Sequence, residues 1–352
     1  MPATLHDVAA RANVSIKTVS NVVHDYKHVR PDTRERVLAA IEELGYRPNI
    51  NARGLRSGRT GVIGLALPEL SLSYFGELAD AVIRAAEKRS LVVLVEQLGG
   101  GDRQREIAML SSPRLQLTDG LIFSPLGMGM DDRHLLDVPY LLVLLGERIF
   151  GGPTDHVTMK NTEAARAATR HLLERGCRRI LVLGAHEDHA IGSASLRLRG
   201  YREALDEAGV PYDRSLVVPA REWHRLDGAR AMRDVLAAGA HFDAVFGLND
   251  TLALGALRAL QEVGLRIPAD VAVIGFDGLD ETQYSLPTLS TIDPGRDEIA
   301  ETAVRVLADR IERGARSGAG GGGAGAVGAA RDAAPREYLA DFRLIEREST
   351  AP

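Results

Sequence analysis

Residues 4–24 run Thr-Leu-His-Asp-Val-Ala-Ala-Arg-Ala-Asn-Val-Ser-Ile-Lys-Thr-Val-Ser-Asn-Val-Val-His, and few folds accommodate that order. Thr4 with Asp7 three residues later has the form of a capping box. Leu5, Val8, Ala9 and Ala12 then fall at i, i+3, i+4 and i+7 on one helical face. Asn13 belongs to the few non-glycine residues that accept the left-handed conformation at a helix end. Ser15 caps a second helix, whose buried stripe is Val19, Val22 and Val23. Ile16, Lys17, Ser20, Asn21 and His24 are left facing outward. The first turn of that helix offers a hydrophobe, a cation and an amide, a set able to read base edges in a major groove. Two short helices joined this tightly predict a helix-turn-helix. A helical hairpin used only for core packing would carry larger apolar residues on its outer faces.

The charge distribution agrees. Residues 1–59 hold ten Lys/Arg and six Asp/Glu, a net +4, whereas the whole chain is −5, so the remainder is −9. A basic head on an acidic body implies a polyanionic partner for the head alone. The single cysteine, Cys177, excludes a disulfide framework and fits a reducing compartment; it reads as a small buried hydrophobe. No apolar leader and no run long enough to span a bilayer are present, so a cytoplasmic location with no membrane partner is expected.

A third helix follows, with Pro31 at its first position, Val37, Ala40, Ile41 and Leu44 on its apolar face, and Gly45 at its end. Residues 46–60 then form a linker with two open readings. One is a plain tether. The other is a short helix, weakened by Gly54, that orders only against a partner. In that case Leu55 is an apolar wedge between base steps, clamped by Arg53 and Arg56 on phosphates.

From Val62 onward the texture changes to alternating strand and helix. Strands are expected at 62–67, 91–96, 120–123, 140–145, 179–183, 216–218, 244–248 and 271–276, with helices at 74–90, 103–111, 161–176, 196–208, 229–238, 252–263 and 296–313. This alternation predicts an α/β fold of doubly wound parallel sheets. About ten strands exceed one comfortable sheet, so two lobes are expected, with ligand bound in the cleft beyond the strand carboxyl ends. Residues 316–334, rich in Gly and Ala, read as a flexible loop; 336–346 as one last strand; 347–352 as surface tail.

At this point the chain resembles the lactose-repressor/galactose-repressor (LacI/GalR) family of transcription regulators. The resemblance covers essentially the whole length. It rests on Thr-Leu-His-Asp-Val-Ala at 4–9, Val-Ser-Ile-Lys-Thr-Val-Ser at 14–20 and Leu-Gly-Tyr-Arg-Pro-Asn at 44–49. Further along it rests on Arg-Leu-Arg-Gly-Tyr-Arg-Glu-Ala-Leu at 197–205, Leu-Asn-Asp-Thr-Leu-Ala-Leu-Gly at 248–255, Val-Ile-Gly-Phe-Asp at 273–277 and Arg-Glu-Ser-Thr at 347–350. It implies a headpiece (1–45), a hinge helix (46–60) and an effector-binding core (61–352) like a periplasmic sugar-binding protein. Lobe 1 would take about 61–160 and 293–318, lobe 2 about 161–290 and 335–352. The family acts as homodimers, or higher assemblies, on pseudo-palindromic double-stranded operator DNA. By that likeness Ile16, Lys17 and Asn21 face bases, while Thr4, Leu5, Ser15, Thr18, Ser20 and Tyr46 sit near phosphates. Leu55 of each subunit would wedge into the operator centre. Asn21 stands where many relatives carry Arg, so an operator sequence does not transfer.

For the cleft, Tyr74 and Phe75 start a helix after the first core strand, where the family borders its ligand. Arg197 offers bidentate hydrogen bonds to hydroxyls or a carboxylate. Trp223, flanked by Glu222 and His224, suits stacking on a sugar face. Asn249 and Asp277 directly follow apolar strands and suit paired hydroxyls, with Asp250 read as a helix cap. Ser124 ends another strand. His186-Glu187-Asp188-His189 has metal-ligand chemistry but reads as a solvated loop, and no metal or other cofactor is expected. Gly99-Gly100-Gly101 lacks phosphate-fingerprint spacing, and no nucleophile–base set marks an enzyme. The expected function is a repressor of carbohydrate-utilisation genes relieved by a small sugar. The alternatives are a regulator using a purine or another corepressor, a sugar-binding protein without DNA function, and an α/β enzyme.

Overall fold

The computed structural model describes residues 3–23, 26, 28–46, 59–185, 191–220, 222–318 and 334–351, with backbone alone at 315–318. The chain divides into two compact units, Met1–Thr60 and Gly61–Pro352.

The first unit holds helices α1 (Leu5–Ala12), α2 (Ile16–Val23) and α3 (Pro31–Leu44). Their ends form as local chemistry dictates. Thr4 and Asp7 close the capping box: Thr4 N donates to Asp7 Oδ2 at 2.8 Å, and Asp7 N donates to Thr4 Oγ1 at 3.4 Å. Asn13 takes φ 50°, ψ 54° and ends α1. Ser15 Oγ accepts from Thr18 N at 3.1 Å and caps α2. Val8, Val19, Val22 and Val37 fill the shared core, which is closed by the ring of Tyr46. Arg11 ties α1 to α3 through an ion pair with Glu43.

The second unit contains two six-stranded sheets. In chain order the strands are β1 (Val62–Leu67), β2 (Val92–Gln97), β3 (Leu121–Phe123), β4 (Leu142–Leu145), β5 (Asp155–Met159), β6 (Ile180–Ala185), β7 (Val217–Pro219), β8 (Ala244–Gly247), β9 (Ala272–Phe276), β10 (Ser290–Asp293), β11 (Glu337–Ala340) and β12 (Arg343–Ile345). The first sheet is ordered β11-β5-β4-β3-β1-β2 and the second β12-β10-β9-β8-β6-β7. Every pairing is parallel except β10 with β12. The helices are α4 (Ser73–Glu87), α5 (Arg103–Leu110), α6 (Asn161–Glu174), α7 (Ser193–Glu207), α8 (Arg225–Ala237), α9 (Asp250–Glu262) and α10 (Arg296–Gly318). Continuous apolar strands such as β1 are covered on both faces, as parallel sheets require.

Three passages join the lobes: β5 to α6, β10 to α10, and β11 to β12. The last passage corrects the single strand expected at 336–346. Its alternation is real, but Tyr338 pairs with Val157 in the first sheet while Leu344 pairs with Ile292 in the second. Residues 337–340, expected in lobe 2, therefore belong to the first sheet. β5 and β10 were not anticipated, because each interleaves polar residues that the fold buries. Asp155 is 2% exposed and held by Arg310, while Ser290 and Thr291 are both fully buried.

The tail is also corrected. Ser349 and Thr350 are 0% and 2% exposed rather than on the surface. Ser349 Oγ donates to Val273 O and accepts from Ser290 N at 2.8 Å, and Thr350 Oγ1 pairs with His171 Nε2 at 2.8 Å. With each hydroxyl satisfied, a polar tail can be buried at little cost. Helix α10 continues to Gly318, past its expected end at 313; residues 319–333 of the glycine-rich segment lie outside the described residues.

Candidate functional site

The helix-turn-helix presents α2 as anticipated. Lys17 is exposed at its first turn, with Ile16, Ser20 and Asn21 half-buried beside it. Ile16 also packs against the small core, so its burial fixes the face that Lys17 and Asn21 share. Thr4 and Ser15 are exposed, and Leu5 and Thr18 half-buried. Tyr46 is 9% exposed, its ring packed on the three-helix core. Arg53, Leu55 and His24 lie outside the described residues.

In the second unit a cavity of about 560 Å³ opens between the lobes. Tyr74, Phe75, Ser124, Arg197, Trp223, Asn249 and Asp277 all line it. The sequence positions are far apart; the fold gathers them because each follows a strand at its carboxyl end or starts the next helix.

Arg197 is the most constrained of them, at 3% exposed. Its Nε donates to Asn161 Oδ1 at 2.8 Å and its Nη1 to Leu248 O, with Asp277 Oδ1 3.5 Å away. The guanidinium lies 3.6 Å from the Phe276 ring centroid and 5.5 Å from that of Trp223. Stacking between two rings holds the cation in one plane without consuming its donors. Asp277 sits at φ 124°, an unusual conformation for a residue with a side chain. Burial pushes its carboxyl well above the usual range, against the pull of Arg197 and with the repulsion of Asp250 adding to the rise.

The helix cap expected of Asp250 is supplied by Asn249, which lines the cavity as well. Asn249 is the helix cap: its Oδ1 accepts from Leu252 N at 2.8 Å, and its Nδ2 donates to Trp223 O at 3.1 Å and Thr251 Oγ1 at 2.7 Å. It thereby positions the tryptophan loop. Asp250 is fully buried and accepts from Leu279 N at 2.8 Å and Thr291 Oγ1 at 2.6 Å. Gly275 makes room for it, since a Cβ there would stand 2.1 Å from Asp250 Oδ1. The Trp223 indole is anchored by Nε1 donating to Gly184 O at 3.1 Å.

Sequence reasoning did not single out Glu69, Glu147, Ser193 and Thr158, which also line the cavity. Glu147 follows β4 by two residues, a position that the carboxyl-end rule could have flagged. Ser193 Oγ donates to Glu147 across the cleft. His224 Nε2 stands 3.4 Å from Glu69 Oε2, and Ser73 Oγ bridges Arg225 and Glu281 at 3.0 and 3.2 Å. These polar contacts cross from one lobe to the other. Acidic lining residues (Glu69, Glu147, Glu222, Asp277) outnumber the basic Arg148 and Arg197.

Among the described residues, no group of three or more His, Cys, Asp or Glu is arranged to hold a metal, and the His186–His189 segment lies outside them. Cys177 is partly buried, and burial pushes its thiol up to about 11, as for an unreactive packing residue. Among the described residues, no helix is long and apolar enough to cross a membrane.

Comparison with known proteins agrees with this architecture. The family model for bacterial regulatory proteins of the lacI family matches residues 4–49, and that for a periplasmic binding protein-like domain matches residues 169–350. The HTH-type transcriptional repressor PurR of Escherichia coli O1:K1 / APEC is 36% identical over 357 residues, covering 99% of this chain and 97% of that protein. The solved complex of the transcriptional regulator CelR with cellobiose is 30% identical, with a TM-score of 0.68 and 99% of both chains covered. The Lac repressor dimer bound to operator and the anti-inducer ONPF is 26% identical, with a TM-score of 0.80 and all of both chains covered. The chain belongs to the LacI family of bacterial regulatory proteins, and it is a DNA-binding transcriptional regulator.

Proposed function

We propose that this regulator binds a pseudo-palindromic operator as a homodimer in the cytoplasm and that a small carbohydrate in the interlobe cleft relieves repression. The observation that carries the ligand class is the cavity itself. One indole face, one ring-stacked guanidinium and an excess of carboxylates surround about 560 Å³. Sugar rings offer an apolar CH face to an aromatic ring and hydroxyls that both donate and accept. The cellobiose held by the CelR relative supports the same class. The relatives are transcriptional regulators rather than enzymes, and this chain is read as acting by binding alone.

In this reading Ile16, Lys17 and Asn21 read bases, and Thr4, Leu5, Ser15, Thr18, Ser20 and Tyr46 contact phosphates, with Arg53 and Leu55 contributing from the linker. Tyr74, Phe75, Ser124, Arg197, Trp223, Asn249 and Asp277 contact the effector, and Asn249 also holds the Trp223 loop. Ligand binding shifts the population of lobe arrangements, and thereby the affinity of paired headpieces for DNA. Binding of the full-length protein to promoter DNA, measured by fluorescence anisotropy with and without a sugar panel, tests this. Loss of affinity with one sugar is expected; a purine that tightens binding instead would replace the reading. The PurR relative and the aromatic Tyr74, Phe75 and Trp223 around the cavity favour that second possibility.

A further inference from the structure

One wall of the cleft is built largely from backbone. Gly100 and Gly101 line it from the turn before α5, and Ser124, Pro125, Leu126 and Gly127 from the segment after β3. Residues 124–129 belong to no helix or strand, so the amides of 126–128 have no ladder partner. One buried side chain serves all three. Glu106, on α5, is 0% exposed. Its Oε1 accepts from Leu126 N at 2.8 Å and Gly127 N at 2.9 Å, and its Oε2 from Gly127 N at 3.0 Å and Met128 N at 2.7 Å. A carboxylate stays out of water only where such donors offset its desolvation. The other inward residue of α5, Leu110, packs in an apolar cluster with Met128, so a hydrophobe at 106 would have served packing alone. Gly127 lies directly on the turn before α5, since a Cβ there would collide with Gly101 O and Arg103 N. Further along, Gly129 N and Arg103 Nε both donate to Asp132 Oδ2 at 3.0 Å. Helix α5 therefore holds the wall at two points, through Glu106 and, by way of Arg103, through Asp132.

We propose that Glu106 is a positioning residue for the effector: its carboxylate fixes where residues 124–128 stand, and so sets the shape of the cleft at that wall. The proposal rests on the reading of this cleft as the effector site and adds a specificity determinant to it. Glu106 does not line the cavity, so it acts only through the loop. Three successive amides bonded to one planar group leave the segment a single arrangement relative to α5. Ser124 N donates to Ala66 O at 3.0 Å, so the chain is tied on both sides of Pro125. Such a wall, made of glycine backbone, Pro125 and Leu126, selects by shape. It cannot shift for a bulkier or slimmer ring without stripping donors from a buried carboxylate. Arg197 and Asp277, by contrast, select by charge and hydrogen bonding.

The test uses full-length wild type, E106Q, I63V and I63A, titrated by calorimetry with cellobiose, D-ribose and a panel of common mono- and disaccharides, and with hypoxanthine as a non-sugar. Melting temperature and amide hydrogen exchange are followed on the same proteins. Glutamine keeps the shape of Glu106 but presents a donor where an acceptor stood, so at least one of the three amides loses its partner. Ile63, buried near the amino end of β1 and not lining the cavity, gives variants that lose stability without touching the wall. Wild type is expected to bind at least one sugar. E106Q is expected to bind that sugar at least ~10-fold more weakly, with exchange at residues 126–128 at least ~10-fold faster. The Ile63 variant that matches it in melting temperature is expected to stay within ~3-fold of wild type in affinity. Equal sugar affinity in E106Q and wild type overturns the proposal and leaves the carbohydrate reading standing. So does an equal loss of affinity in E106Q and the matched Ile63 variant, since general stability is then the cause, and so does unchanged exchange at 126–128. A wild type that binds hypoxanthine and no sugar overturns the carbohydrate reading alone, and the same ratio measured on hypoxanthine decides the proposal. A wild type that binds none of these ligands overturns both.

Discussion

Arg197 and Asp277 face each other at 3.5 Å on the second-lobe wall of the cleft, both almost wholly shielded from solvent. The arginine is pinned from four sides, by Asn161, Leu248, Phe276 and Trp223, so the carboxylate and not the cation has freedom to respond to a ligand. Truncating either partner leaves the other buried and uncompensated. Arg197→Ala is expected to abolish effector response and to lower stability by about 3–5 kcal/mol. Denaturant unfolding of the variant, compared with wild type, checks the second figure.

Two buried carboxyls, Asp277 and Asp250, make stability depend on pH in an unusual direction. Burial raises Asp250 to about 7 and Asp277 well above its ordinary value. A carboxyl whose folded value is raised stabilises the fold below its unfolded value, near 4, and that contribution is lost as pH climbs through the folded value. Wild type is therefore expected to lose stability between about pH 4 and pH 7, each tenfold change in acidity being worth about 1.4 kcal/mol. Asp277→Asn should flatten that slope. Melting curves at pH 5 and pH 8 that run parallel for wild type and variant would show that the carboxyl stays ionised throughout.

Trp223 is the only tryptophan in the chain and lines the cavity. Effector binding is expected to change its emission directly, with no labelled probe. Trp223→Phe keeps an aromatic face but loses the bond from Nε1 to Gly184 O. It should weaken sugar binding by roughly tenfold, about 1.4 kcal/mol, within the range of aromatic contacts. Titration of fluorescence in wild type and calorimetry in the variant give the two numbers.

Lys17 carries the exposed charge at the start of the second helix. Lys17→Ala should weaken operator binding by about 1–3 kcal/mol if it contacts a base, and relax selectivity at that base pair. If it contacts only phosphate, the loss is uniform across sequences and the salt slope falls by roughly one. Anisotropy titrations on an operator and on random duplex at two salt concentrations separate these results.

Close packing within the second lobe offers a stability test independent of function. A Cβ on Gly200 would lie 2.1 Å from Thr162 O, where α6 and α7 cross. Gly200→Ala is expected to cost about 1–3 kcal/mol through the forced separation of the helices. A melting temperature equal to wild type would mean that the two helices tolerate displacement.

Much of this molecule is written locally, and for that reason it was legible. The capping box at Thr4, the left-handed Asn13 and the Ser15 cap each depend on residues within three or four positions, and all three form. Continuous apolar strands such as 62–67 and the alternation with helices are likewise local signals of a doubly wound fold. Ser124, Asn249 and Asp277 could be nominated because a parallel sheet exposes its strand ends at one edge, whereas Tyr74 and Phe75 rested on the family likeness and Arg197 and Trp223 on side-chain chemistry. Partnership, however, is not local. Whether Asn249 or Asp250 caps α9 depends on Thr291 of β10 and Leu279 of the loop after β9, which claim Asp250. Asp155 and Ser290 fall outside every expected strand, and Ser349 in an expected surface tail, until distant chain segments supply Arg310, Thr350 and Val273 O as partners. The division of residues 337–345 between two sheets follows from the lobes competing for one alternating segment. Sequence alone therefore determined the family of the protein and most of its elements, but not β5, β10 or the division of the last strand. Tertiary structure decided which polar side chains are buried and paired, because the cost of removing a charge or a hydroxyl from water is cancelled only by partners from elsewhere in the chain.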